Sequence, residues 1–390
     1  MDLTQQKQEA KMAQKVRTSI AECFGTLTDP RVPYLIEHKL LDMLTIAICA
    51  VISGANTWVE VEAYGHSKRE WLRTFLELPN DIPSHDTFDR LFARLNGEEF
   101  QHCFVAWARA AAKVTQGQVV AIDGKCLRRS HDRALGKEAI YMVSAWATQD
   151  HLVLGQTKVA EKSNEITAIP VLLRLLDLQG CIVTIDAMGC QKKIAKAILE
   201  QGADYILAVK DNQPTLHQKM VSLFDQIDRA NRHTRRDYDS QVSKDHGRIE
   251  KRRCWTITDE SYLLYTRDVD NKPWPGLGCL VKIEAQRTIA GVTSTETRYY
   301  ISSLKCSAAE MLKHIRSHWG IENSLHWVLD VAFGEDQSRV RKGNGPENFA
   351  VVRQMAVSLL QRETSSKGGI HARRLRAAWD TNYLLKVLGC

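Results

Sequence analysis

The chain has 390 residues, 44% hydrophobic and 25% charged, with a formal net charge of +7, the balance of a globular protein with room for two or three domains. Its ten cysteines are scattered with no CxxC pair and no secretory signal ahead of them, so a disulfide framework and a structural zinc are set aside in favour of reduced cytoplasmic thiols. The most apolar segment, Leu40 to Ile52, contains Asp42 and is shorter than the roughly 20 residues a membrane span needs, so it reads as a core helix and no membrane is expected.

Residues 1–112 read as an all-α N-terminal domain. Leu35, Leu40, Leu44, Ile48 and Ile52 recur at helical spacing, as do Phe88, Leu91, Phe92 and Leu95. Pro83 and Ser84 ahead of Asp86 suit a helix start, because a serine hydroxyl caps free amides and an acid suits the dipole. Arg90 and Arg94 on that helix fit either a helix-turn-helix lying in a major groove or a helical cap packed on the next domain.

From Gln118 the pattern turns to β-rich runs: QVVAID, AIYMVSAWAT, HLVLGQTKV, CIVTID and DYILAV, with helical stretches Ile166 to Leu176 and Gln191 to Glu200 between the later ones. Three strands followed by alternating helix and strand predict a mixed sheet with helices on both faces. Between about 231 and 303 a β insertion is expected from RRCWTIT, SYLLYT, CLVKIEAQRT and TRYYISSL. It is rich in Arg232, Arg235, Arg236, Lys244, His246, Arg248, Lys251, Arg252 and Arg253, with Trp255 and Trp274 nearby. Basic and aromatic residues together hold phosphates and stack an unpaired base, although a solvated meander with tryptophans in a small core fits the same pattern. Residues 363–390 read as a basic C-terminal tail, with a joint at Ser365 to Gly369 before a helix carrying Arg373, Arg374 and Arg376. From Arg339 onward ten Lys/Arg face three Asp/Glu, which accounts for the whole positive excess and suits a polyanionic substrate or a merely solvated tail.

Three acids stand where a metal site would need them: Asp123 closing QVVAID, Asp186 closing CIVTID, and Glu322 in the helical stretch HIRSHWGIENSLHW. Buried strand ends bearing carboxylates call for a compensating cation, and hard ions such as Mg²⁺ favour oxygen ligands. Read singly, Asp123 before Gly124 and Asp186 before Ala187 also suit turns, and Glu322 has rivals in Asp330, Glu335 and Asp336. His318, Glu322 and His326 share one helical face, but histidines eight residues apart are separated by about 12 Å along an α-helix, too far for a common zinc. His318 is then a candidate for DNA phosphate and His326 a packing or hydrogen-bonding residue. Lys125, Arg128 and Arg129 after the first acid, Lys210 after DYILAV, and His246 and Arg248 in the insertion complete the DNA-binding candidates.

Six ordered blocks carry a family resemblance: LPNDIPSHDTFDRLFARL, AIDGKCLRRS, EKSNEITAIPVLL, VTIDAMGCQKKIAKAI, DYILAVKDNQPTL and HWGIENSLHWVLDVAFGEDQSRVR. Across nearly the whole chain the sequence resembles the DDE transposases of the RNase H-like fold, in particular the H-repeat-associated insertion-sequence transposases. The resemblance implies an RNase H-like α/β catalytic domain over 113–362 with the β insertion contacting DNA ends. It also implies Asp123, Asp186 and Glu322 as catalytic and metal-binding residues of a two-metal site for Mg²⁺ or Mn²⁺. The implied activity is cleavage at transposon ends and strand transfer into target double-stranded DNA by a homodimer in a synaptic complex, in the bacterial cytoplasm at the nucleoid. Related transposases carry Tyr, Arg and Lys where this chain has Ile315, His318 and Leu329, keeping only Glu322 of that pattern. An inactive or domesticated DNA-binding derivative and a non-joining nuclease of the same fold are the alternatives.

Overall fold

The structure, a computed structural model, describes residues 20–112, 116–131, 136–160, 163–229, 236–245, 247–267 and 272–389. Helix α1 (Leu40–Ile52) is buried from Asp42 to its end, as the apolar run requires. The Asp42 carboxylate is stabilised there by accepting the Leu78 N–H at 3.0 Å. Helix α2 (Trp58–Ser67) begins with a Thr57/Glu60 capping box, α3 (His85–Arg94) with Ser84 accepting the Thr87 N–H, and α4 (Gly97–Ala111) with Asn96 accepting two amides. Phe88, Leu91 and Phe92 of α3 turn inward, leaving Arg90 and Arg94 in solvent.

Nine strands form one sheet: β1 (Val119–Leu127), β2 (Ile140–Ala147), β3 (Leu152–Lys158), β4 (Ile182–Ile185), β5 (Asp204–Val209), β6 (Asp237–Asp245), β7 (Arg248–Ile257), β8 (Cys279–Ile289) and β9 (Val292–Ser302). Their order is 3-2-1-4-5-9-8-7-6, with β1, β4 and β5 parallel and every other pair antiparallel. The expected mixed sheet is therefore present. The crossover through α5 (Glu165–Leu175) carries the chain from β3 past β2 to lay β4 beside β1. Helix α6 (Lys192–Glu200) then leads to β5 and α7 (Pro214–Arg229) follows it. On the opposite face α8 (Ala308–Gly320) covers Val119, Ile182, Ile206 and Val281 with Met311, Leu312 and Ile315.

The insertion is continuous with the catalytic sheet, since β9 pairs with β5. The segment SYLLYT, expected as a strand, is a helical turn at Glu260–Tyr265. Asp259 caps it by accepting the Ser261 N–H at 2.9 Å, so the local cap outweighs the aromatic β preference. Of the two tryptophans expected near phosphate, Trp274 is buried, and Trp255 packs on Tyr238 with the Lys282 ammonium 5.2 Å from its ring centre.

The terminal residues also differ from a tail. Beyond the short helix α9 (Trp327–Phe333) and the long α10 (Gly345–Arg362), residues 363–390 include helices α11 (Ile370–Trp379) and α12 (Thr381–Val387). Arg374 is buried and donates to the Val51 and Ala55 carbonyls at 2.8 and 3.0 Å and to Asn56 Oδ1 at 3.0 Å, satisfying the end of α1. Phe349 of α10 stacks 4.5 Å from Trp58, which also meets Phe92 at 4.4 Å. First and last helices thus share one apolar core, so two of the terminal arginines, Arg353 and Arg374, serve the interior rather than solvent.

Candidate active site

Parallel pairing of β1 with β4 sets Ile122 opposite Ile185. The next residues, Asp123 within β1, where it pairs with Ser144 of β2, and Asp186 just past the end of β4, therefore stand side by side where the parallel pairing stops. Asp186 Oδ1 accepts the Met188 N–H at 3.0 Å and the Gly189 N–H at 3.4 Å, which turns the chain away and fixes the carboxylate. A side chain at position 189 would overlap Ile185, so glycine is required where the turn folds back on its strand.

The third acid arrives from the other face. Helix α8 does not end at Gly320 but widens into a π-helical turn over Ile321–His326, closed by the Trp327 N–H donating to the Glu322 carbonyl. Gln361 of α10 donates to the Ser324 carbonyl within that turn. Such π turns occur frequently at functional positions. Ile315 and Leu329 flank the turn and are both buried in apolar clusters, which suits their apolar character, although Ile315 also reaches the wall of the carboxylate cavity. Glu322 and His326 stand together, with His326 Nδ1 3.8 Å from Glu322 Oε2 and 3.4 Å from Asp123 Oδ2.

Electrostatics couple this trio. Burial raises the Asp123 carboxyl above its usual range, while the imidazole of His326 pulls it back. Burial opposes a charged His326, yet Asp123 and Glu322 outweigh it and push the imidazole up to about 9. The nearby His326 imidazole in turn lowers Glu322 to about 2. His326, expected as a packing or hydrogen-bonding residue, thus stands beside the acids of the site.

A fourth carboxylate joins them. Glu165, the first residue of α5, is raised to about 7 by burial and then by the negative charges of Asp186 and Asp123. It approaches β1 so closely that any side chain at Gly124 would overlap its carboxylate. Gly124 therefore lies within the strand rather than in a turn, and its bare Cα admits Glu165. The sequence offered one clue, the block EKSNEITAIPVLL, without indicating a role.

The basic candidates separate into two groups. Lys125 turns into the interior: its ammonium meets Asp330 and Glu335, the latter at 2.7 Å, and donates to the His326 carbonyl at 3.4 Å. Its charge is already neutralised, contrary to the expected phosphate contact. His318 shares a 3.0 Å hydrogen bond with Thr184, and burial lowers its pKa, so its ring lies in the wall of the carboxylate cavity rather than on an open surface. Arg128 and Arg129 are exposed, Arg128 lying 3.3 Å from Asp336. Lys210 is exposed at the cavity rim. Arg248 lies in a separate trough, and His246 is outside the described residues.

Asp123, Asp186 and Glu322 line a cavity of about 370 Å³ that also takes in Lys210, Arg298 and Trp319. Glu296, Arg298, Tyr300, Ile315 and Trp319 are shared with a trough of about 650 Å³ between α8 and the insertion. Arg248, Arg252, Arg287 and Arg316 line that trough around the buried Glu250, which pairs with Arg248, Arg252 and Arg287. Trp319 is 44% exposed with the Arg298 guanidinium 4.8 Å from its ring centre. The exposed ring beside the acids thus comes from α8 rather than from Trp255 or Trp274 of the insertion.

Acids on neighbouring parallel strands, one within β1 and one just past the end of β4, opposed by a glutamate on a helix over the sheet, define a carboxylate-centred site on a mixed α/β fold. Residues 115–359 match the family described as Transposase DDE domain, and residues 21–108 match the DDE_Tnp_1-associated family, so the chain belongs to the DDE transposase family. It is 39% identical over 370 residues to "Putative transposase YncI" of Escherichia coli O157:H7, covering 95% of this chain and 94% of that protein. It is also 39% identical over 377 residues to "H repeat-associated putative transposase YhhI" of Escherichia coli (strain K12), covering 95% and 97%. Among solved structures, a piggyBac transposase synaptic complex with hairpin DNA aligns over 98% of this chain and 81% of that one, at 12% identity and a TM-score of 0.40. No described helix is long and apolar enough to cross a membrane.

Proposed function

We propose that the protein is a metal-dependent DNA transposase that cleaves the phosphodiester at transposon ends and joins the freed 3′-hydroxyl to target DNA. The observation that carries this reading is the shared wall between the carboxylate cavity and the trough lined by Arg248, Arg252, Arg287, Arg298 and Arg316, which supports a polyanion path beside the acids. Asp123, Asp186 and Glu322 fit divalent ions: they are oxygen donors, and burial of Asp123 beside Glu322 leaves negative charge to be neutralised. Mg²⁺ or Mn²⁺ ions held there supply activation of the attacking oxygen and stabilisation of the leaving one.

The chain's own residues set the geometry. Strands β1 and β4 fix two acids by register, and the π turn sets the third against them. Lys210 and Arg298 at the cavity, and Arg248, Arg252, Arg287 and Arg316 along the trough, offer positive charge to DNA phosphates. Trp319 offers an exposed ring for a base. The active form is a homodimer pairing two ends, acting at the nucleoid in the bacterial cytoplasm.

The test is incubation of a labelled duplex bearing the element's terminal repeat with wild type and Asp123→Asn, in Mg²⁺ or Mn²⁺. Nicked and joined products from wild type alone are expected. Cleavage without joining indicates a nuclease of the same fold, and binding without cleavage indicates an inactive DNA-binding derivative.

A further inference from the structure

We propose that His326 is itself a ligand of the divalent ion held by Asp123 and Glu322, so that one half of the site is a mixed oxygen–nitrogen centre. The inference rests on the metal-dependent reading above and goes beyond it, since an all-oxygen triad assigns the histidine nothing.

Geometry carries it. One donor atom from each of Asp123, Glu322 and His326 lies within 4.8 Å of the other two. Nδ1 of His326 is already 3.4 Å from Asp123 Oδ2 and 3.8 Å from Glu322 Oε2. Ligands at roughly 2.1 Å from one ion stand about 3.0–3.4 Å apart in octahedral or tetrahedral arrangements, so side-chain adjustments of at most about 1.4 Å close this set. His326 is 6% exposed, and its Nε2 is buried with no hydrogen-bond partner among the described residues. The ring meets the two acids through Nδ1.

The backbone is built to present it. The π turn carries Glu322 and His326 on one side of the helix, with Lys125 donating to the His326 carbonyl and Gln361 to that of Ser324. Asp186 is outside the Asp123/Glu322/His326 group, and it and Asp123 both lie near Glu165, so Asp123 is common to the Asp/Glu/His group and to a purely carboxylate one. Nitrogen donors favour the later transition ions over Mg²⁺, so the mixed position should select Mn²⁺ relative to Mg²⁺.

Pulsed EPR of the full-length protein loaded with Mn²⁺ tests this without reference to activity. A ¹⁴N hyperfine coupling in wild type is expected, replaced by a ¹⁵N pattern when histidine alone is ¹⁵N-labelled. The coupling should vanish in His326→Gln and persist in His318→Gln, and His326→Gln should lower Mn²⁺ affinity in calorimetry by at least the roughly tenfold that losing even an outer-shell partner costs. Because the labelling is read in wild type, the answer stands if His326→Gln fails to fold. Mn²⁺ bound without nitrogen coupling, or coupling that survives in His326→Gln, overturns the inference while leaving the metal site intact. Absence of any Mn²⁺ binding overturns both the inference and the metal-dependent reading.

Discussion

The carboxylate of Glu165 occupies the space that a side chain at Gly124 would fill. Two elements far apart in sequence are thereby interlocked beside the first acid of the site.

Gly124→Ala should push the Glu165 carboxylate aside, a movement at the end of a flexible side chain that leaves β1 in place. The variant should therefore fold with a melting temperature close to wild type while cleavage falls. Thermal melts and single-turnover cleavage check this. Wild-type cleavage by a folded Gly124→Ala protein would show that Glu165 has no bearing on the site.

Metal-free protein should lose stability as pH rises. Glu165 holds its proton to about 7 against an ordinary 4.5, and His326 to about 9 against 6.5. In both, the native state binds the proton more tightly than the unfolded one. Their contributions are full below the ordinary values and are lost as pH climbs through the raised ones. Glu322, lowered to about 2, works in the opposite sense: its contribution is present above its ordinary 4.5 and disappears as pH falls through 2. Melting temperature in EDTA should therefore peak near pH 5 and decline toward pH 9, with Glu165→Gln removing the part between 4.5 and 7. A flat profile across that range contradicts the assignment.

Lys125→Met should destabilise strongly. Glu335 is 3% exposed and depends on Lys125, with Arg353 Nη1 4.0 Å away on its other side. Breaking one partner of a buried pair costs about 3–5 kcal/mol. Urea unfolding should show a loss of that order, partly restored by adding Glu335→Gln. A loss below about 1 kcal/mol would place the interaction among surface pairs.

Arg316→Ala should weaken DNA binding uniformly across sequences. Arg316 is exposed at the trough, donating only to Gln241 Oε1 at 3.3 Å. Loss of one phosphate contact should reduce the slope of log affinity against log salt by about 0.9. An unchanged slope for both Arg316→Ala and Arg248→Ala would move the DNA path elsewhere.

What the sequence revealed follows from what is local. Asp123 and Asp186 end apolar runs, so their place on neighbouring strands was legible, although β1 runs on past Asp123 to Leu127 because the residues beyond it keep pairing with β2. Glu322 needed the family blocks, because a helical glutamate ordinarily faces water. His326 was missed because the spacing argument measured His318 against His326, whereas the close pair is Glu322 and His326, joined to Asp123 from another element. Lys125 looked like a phosphate ligand because its partners, Asp330 and Glu335, lie more than two hundred residues away. Glu165 was marked only by its place in the block EKSNEITAIPVLL: its position in the site arises from where the crossover helix begins relative to Gly124.

The clasp between Arg374 and the end of α1 bears on how a copy of this gene decays. A reading frame stopped just before Ile370 removes Arg374 from the Val51 and Ala55 carbonyls and uncovers the core that α11 and α12 complete. Loss of the last 21 codons thus strikes at the folded protein as a whole, whereas a substitution at Asp123 or Glu322 removes chemistry and spares the rest. Silenced copies that persist as folded proteins should therefore carry point changes in the site and an intact 3′ end.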